Sequence, residues 1–173
     1  MQKGGAMKSQ SSGMPAFGVG PVYVLVSAVL TAAALHLDHA GVYAIRLRGY
    51  GRTFLIALGV LSIALGVVLW VWAVLFGKIL RYAEEGKLVT TGVYAAVRHP
   101  VYSAFFLLFT GILLTRANVT LLVVPIVLWI FLTVLMKHTE EKWLLERFGE
   151  EYARYAARTN RVFPRFPRKN TPI

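Results

Sequence analysis

The sequence predicts an all-α integral membrane bundle of about four transmembrane helices, followed by a C-terminal amphipathic helix. Three observations predict it. The 173 residues are 57% hydrophobic, with a mean hydropathy of +0.59, too apolar for an ordinary soluble domain. Four apolar runs lie at about 17–37, 53–77, 100–115 and 119–136, against the roughly 20 residues a helix needs to cross a bilayer. The formal charge of +11 collects beside the runs, on the middle polar loop and after the last run. That is the positive-inside pattern of a multi-pass protein. It meets anionic lipid rather than nucleic acid. With no Cys there is no disulfide, thiolate ligand or S-acyl anchor.

Taken in order, residues 1–15 are rich in Gly, Ser and Gln and read as a disordered N-terminus before one domain over 16–173. Phe17 to Leu37 is span one, apolar apart from Ser27, Thr31 and His36. The competing reading is a signal peptide with Lys3 and Lys8 as its basic region and Ala32-Ala33-Ala34 at its end. The apolar stretch exceeds the roughly 7–15 residues of such peptides. Asp38 to Arg52 is a basic polar connection. At its start His36, Asp38 and His39 read as a solvated helix end, because nothing nearby completes a metal shell.

Thr53 to Gly77 is span two, long enough to tilt or protrude. Trp70, Trp72 and Phe76 gather at one end as interface aromatics do. Ser62 and Gly66 have the spacing of a close helix contact. Lys78 to Tyr82 continues this span into the interface until Glu84-Glu85-Gly86-Lys87 ends it. Thr90-Thr91-Gly92 is turn-like, and Val93 to Val97 is a short interfacial helix.

Pro100 to Thr115 is span three, short unless its polar mouth lies inside the membrane boundary. Arg116-Ala117-Asn118 turns the chain, and Val119 to Met136 is span four, with a kink expected at Pro125. The short connection makes these two spans antiparallel neighbours. From 140 to 157, Glu141, Leu144, Leu145, Phe148, Tyr152 and Tyr155 share one helix face. Lys142, Glu146, Arg147, Glu150, Arg154 and Arg158 crowd the other, which suits the headgroup layer. Beyond Arg161-Val162-Phe163-Pro164, Pro167 and Pro172 disfavour helix.

The chemistry centres on Arg98-His99-Pro100-Val101-Tyr102. Pro100 suits a first helical position, and His99 before it is held extended. An Arg and a His therefore sit at a helix mouth beside unpaired N–H groups, which attracts a carboxylate or phosphate. Glu140-Glu141 stands where span four gives way to the charged segment. A hairpin of spans three and four brings both clusters to one membrane face. The plain alternatives are snorkelling positive-inside residues for Arg98 and His99, and first-turn acids stabilised by the helix dipole for the Glu pair. Ionisable groups at bilayer depth are costly, which favours a functional site.

The ordered series Gly92-x-Tyr94, Arg98-His99-Pro100-x-Tyr102, Glu140-Glu141, Phe148-Gly149-x-x-Tyr152-x-x-Tyr155 and Arg161-x-Phe163-Pro164 resembles the isoprenylcysteine carboxyl methyltransferases. It resembles the related membrane phospholipid methyltransferases as well. The likeness covers residues 88–164. It implies a membrane methyltransferase using S-adenosylmethionine, bound between the last two spans and the C-terminal segment on the cytoplasmic side. The resemblance assigns Gly92, Tyr94, Arg98, His99, Pro100, Tyr102, Glu140, Glu141, Tyr152 and Tyr155 to the cofactor. It assigns Glu141 and Arg161 to catalysis, and implies no metal. The acceptor it implies is lipid-linked: a prenylated cysteine carboxylate first, then a phospholipid amine or a small thiol. The rivals are a sterol-reductase-like enzyme using NADPH and a non-enzymatic helical scaffold.

Overall fold

In the computed structural model, which describes residues 18–42, 45–77 and 86–164, every regular element among the described residues is helical. Helix α1 is Gly20–His39 and α2 is Gly49–Val71, extended by a π-helical turn over Trp72–Phe76. Helix α3 is Val93–Ala96 and α4 is Pro100–Leu114. A 3-10 turn, Val119–Leu122, leads into α5, Val123–His138, and α6 is Glu140–Arg158. The readings of residues 1–15, of 78–85 and of the chain after Pro164 lie outside the described residues.

Gly20–His39, Gly49–Phe76 and Val119–His138 are long and apolar enough to cross a membrane. The third run folds as α4, apolar but only 15 residues long. At 1.5 Å per residue it reaches about 22 Å, short of the roughly 30 Å hydrocarbon core. Its central place explains its burial: Tyr102, Ser103, Ala104, Phe106, Gly111, Leu113 and Leu114 are all buried. Helices α1, α2 and α5 each pack on it.

The α2–α4 contact is backbone against backbone. A Cβ on Gly59 would lie 2.8 Å from the Gly111 carbonyl oxygen, and one on Gly111 would lie 2.7 Å from that of Gly59. The spacing of Ser62 and Gly66 marks the same seam: Ser62 Oγ donates to the Leu107 carbonyl at 2.9 Å. A Cβ on Gly66 would meet the Ala104 carbonyl oxygen at 2.9 Å. Gly111→Val is therefore expected to cost about 1–3 kcal/mol by overpacking, read as a fall in melting temperature of the purified protein.

The α1–α2 connection and the α4–α5 turn meet at the end of the bundle away from α6. Leu47 N–H donates to the Ala117 carbonyl at 2.9 Å and Val119 N–H to that of Ile45 at 3.0 Å. Asp38 is fully buried there, which corrects the expectation of a solvated helix end; His36 and His39 are the exposed residues. Its carboxylate accepts from Arg46 at 2.8 Å, Asn118 at 2.8 Å and Arg116 at 2.9 Å. Asp38→Ala would orphan the buried Asn118 amide, at an expected cost of about 1–3 kcal/mol, measurable by thermal unfolding.

Two other expectations are corrected. Pro125 does not kink span four. It lies in the first turn of α5, where its missing N–H has no intrahelical partner to lose. The C-terminal amphipathic helix is not continuous: Gly149 (φ 52°, ψ −126°) breaks α6, in a region open to glycine and closed to most residues.

Candidate active site at the α4–α6 end

The turn after α3 places the first cluster. Gly92 takes φ 62° ahead of α3, a conformation that suits glycine. His99 caps α4 in non-helical backbone (φ −125°, ψ 64°), short of the fully extended form expected before a proline, with Pro100 in the first turn. The chain beyond α6 then returns alongside residues 97–99. Arg98 N–H donates to the Asn160 carbonyl at 2.8 Å, and His99 N–H to that of Arg161 at 3.1 Å. Ser103 Oγ ties the same strand down by donating to the Val162 carbonyl at 2.7 Å.

This pairing brings Arg98 and Arg161 onto one carboxylate. Arg98 Nη2 donates to Glu141 Oε1 at 2.6 Å. Arg161 grips both oxygens, Nε to Oε1 at 2.7 Å and Nη2 to Oε2 at 2.7 Å. That two-pronged pairing is the strong form of the interaction. Arg98 also donates to the Ala156 carbonyl at 2.8 Å. His99 Nε2 lies 3.6 Å from Glu141 Oε1, beyond hydrogen-bond distance. Burial alone would raise the Glu141 pKa, but its partners hold the carboxyl far below the usual range. The nearby His99 imidazole and the Arg161 and Arg98 guanidiniums all act in that direction. Hydrogen bonding to Glu141 in turn keeps Arg161 more firmly protonated.

The neighbouring carboxylate points elsewhere. Glu140 Oε2 accepts from the Tyr102 hydroxyl at 2.7 Å. A Cβ on Gly18 would lie 3.5 Å from the Glu140 carboxyl. The two glutamates therefore diverge, Glu141 into the arginine clamp and Glu140 toward the start of α1. Tyr155 donates to the Tyr94 carbonyl at 2.6 Å, and burial pushes its phenol up to about 12. Tyr94 and Tyr152 are also raised, mainly by burial.

The cofactor and catalytic candidates from Gly92 to Arg161 thus lie at one end of the bundle. Arg98, His99, Glu141 and Arg161 form one cluster and Tyr102 with Glu140 another, while Tyr94 and Tyr155 are joined by a hydrogen bond. Gly92 and Pro100 contribute backbone shape. Four buried polar atoms here have no hydrogen-bond partner among the described residues: Tyr94 Oη, Arg98 Nε, His99 Nε2 and Tyr152 Oη. Buried polar groups in native proteins are almost always satisfied, so these four atoms leave hydrogen-bonding capacity at this end of the bundle. The sequence reading missed the contributions of Gly18, Asn160 and Ser103. The first and last carry no motif, and Asn160 acts through its backbone.

Residues 54–151 match the phospholipid methyltransferase family, more than half of the 173 residues. The chain belongs to that family. This membership agrees with the resemblance drawn from the motif series. Among relatives of this phospholipid methyltransferase family member, the probable protein-S-isoprenylcysteine O-methyltransferase of Oryza sativa subsp. indica is 34% identical over 86 residues, 49% of this chain and 44% of that protein. The protein-S-isoprenylcysteine O-methyltransferase of Schizosaccharomyces pombe is 38% identical over 85 residues, 49% of this chain and 36% of that one. The cobalt-zinc-cadmium resistance protein CzcN of Cupriavidus metallidurans is 34% identical over 114 residues, 64% of this chain and 50% of that one. The chain therefore spans half or less of the length of these relatives. No solved structure gives a significant match.

Proposed function

We propose that the protein is an S-adenosylmethionine-dependent membrane methyltransferase, with its site on the cytoplasmic side and a lipid-linked acceptor. The observation that carries the reading is the buried, unpartnered His99 Nε2 beside the Arg98–Glu141–Arg161 clamp, in a chain of this family. When bound, S-adenosylmethionine supplies an electrophilic methyl on a sulfonium centre.

The residues present fit such a molecule. His99, Arg98 Nε and the first N–H groups of α4 suit its carboxylate. The unpartnered Tyr94 and Tyr152 hydroxyls suit its ribose and amino groups. Glu140 supplies a carboxylate with no arginine partner among the described residues, suited to its cationic groups. The clamp fixes Arg98 and Arg161 without leaving either charge unpaired, and it holds the C-terminal return over the helix mouth. Methyl transfer is an in-line displacement, so the chain's task is alignment and exclusion of water. A carboxylate acceptor needs no base. An amine acceptor must shed a proton, and Glu140 is the carboxylate placed to take it.

The names of the isoprenylcysteine relatives support a prenylated cysteine carboxylate as acceptor; the matched family supports a phospholipid amine. Purified protein titrated with S-adenosylhomocysteine should show saturable binding that NADPH does not displace. Radiolabelled methyl transfer to a farnesylated cysteine should give a base-labile ester, whereas transfer to phosphatidylethanolamine would be base-stable. No saturable binding, or binding displaced by NADPH, would refute the cofactor assignment.

A further inference from the structure

Helix α1 carries Tyr23, Ser27 and Thr31 at intervals of four residues on one buried stripe. Tyr23 and Ser27 are fully buried, and Thr31 is 4% exposed. None of the three hydroxyls has a protein partner among the described residues, and neither does the buried Thr110 Oγ1 on α4. Tyr23 and Ser27 lie close to each other but outside hydrogen-bond geometry.

Hydroxyls inside an apolar helix ordinarily bond back to their own backbone, and elsewhere in this chain they do. Thr115 donates to the Ile112 carbonyl and Thr139 to that of Leu135. Ser27, Thr31 and Thr110 instead leave their hydroxyls unbonded within the bundle. An orphaned buried hydroxyl costs about 1–3 kcal/mol, and four of them together call for a ligand.

Their placement indicates which one. A Cβ on Gly20 would lie 3.6 Å from the Tyr102 hydroxyl, and the Tyr23 ring centroid is 5.8 Å from that of Tyr102. At the other end Ala34 packs with Leu113 and Leu121. Helices α1 and α4 therefore run in the same direction, which puts Thr31 and Thr110 at about the same depth. The stripe starts beside the Tyr102–Glu140 pair and stops at an apolar plug. Successive hydroxyls stand about 6 Å apart along α1, a gap that small bridging molecules with two to four hydrogen bonds fill.

We propose that the seam between α1, α4 and α5 is a binding site for ordered water, a hydrated spur leading inward from Glu140. It lies largely on α1, outside the family-matched stretch of 54–151, and does not depend on the methyl-transfer reading. The spur satisfies the hydroxyls and hydrates Glu140 from within the bundle. The plug of Ala34, Leu113 and Leu121 keeps it from crossing the membrane.

The sign of a stability change tests it. Ser27→Ala, Thr31→Val and Thr110→Val remove hydroxyls with little change of shape. If water is held, each variant lowers the melting temperature of the full chain by a few degrees. If the seam is dry, removing an orphaned hydroxyl raises it, and an unchanged or raised temperature would overturn the proposal. Radiolytic footprinting of the unmodified chain gives a second reading that no folding defect can confuse. Adjacent water predicts hydroxyl-radical modification of Tyr23 despite its complete burial; absence of modification there would also overturn it.

Discussion

Glu141→Ala is expected to lower the unfolding free energy by about 3–5 kcal/mol, the usual cost of removing one partner from a buried ion pair, and to abolish cofactor binding. The carboxylate side chain is 13% exposed and stands between Arg98, 9% exposed, and Arg161, 28% exposed. Without it, two guanidiniums face each other across a site that water reaches poorly, and the C-terminal return loses its anchor. Thermal unfolding and S-adenosylhomocysteine titration read the two effects separately. A variant that melts like the wild type would show that the arginines find other partners and that the clamp does not hold the site.

The same carboxylate gives stability a pH dependence of defined sign. Glu141 is held below its ordinary value of 4.5. A depressed carboxyl contributes its full stabilisation above the unfolded-state pKa and loses it as the pH falls toward the folded value. Wild-type stability should therefore decline on acidification below about pH 4.5. In Glu141→Ala that part of the decline should vanish.

His99→Phe should separate binding from folding in the opposite way. The ring is 5% exposed and its Nε2 has no protein partner among the described residues. An aromatic replacement fills most of its volume, so stability should change by less than about 1.5 kcal/mol. A hydrogen bond to a charged ligand contributes about 1.5–3 kcal/mol, and each 1.4 kcal/mol is tenfold in affinity. Affinity for S-adenosylhomocysteine should fall about 10–100-fold. Equal affinity in the variant would remove His99 from the proposed site.

Much of this arrangement was legible in the residues. Apolar runs marked the helices, and Pro100 after His99 marked a helix mouth. The short Arg116–Asn118 turn implied the hairpin that joins Arg98 to Glu141. What escaped is instructive in physical terms. Asp38 looked solvated because its partners are far off in sequence, Arg116 and Asn118 lying 78 and 80 positions away; periodicity cannot report such pairings. Pro125 looked like a kink because the run was read as helical from Val119, whereas α5 begins at Val123. The divergence of Glu140 from Glu141 follows from successive residues pointing about 100° apart on a helix, but which target each meets depends on tertiary packing.

The mismatch between α2 and α4 has a consequence for the surrounding lipid. Gly59, Ser62, Gly66 and Gly111 lock a 28-residue rod to a partner of 15 residues, so neither can adjust its depth alone. With the long rod spanning the acyl layer, the short one leaves a deficit of about 8 Å. The register Gly59–Gly111 and Gly66–Ala104 shares that deficit between the two ends of the short helix, where lipid would dip or headgroups lean inward to cover it. On the proposed function, a local dimple of this kind would let a water-soluble methyl donor and a membrane-dissolved acceptor arrive at the same depth, without either being carried through the other's solvent.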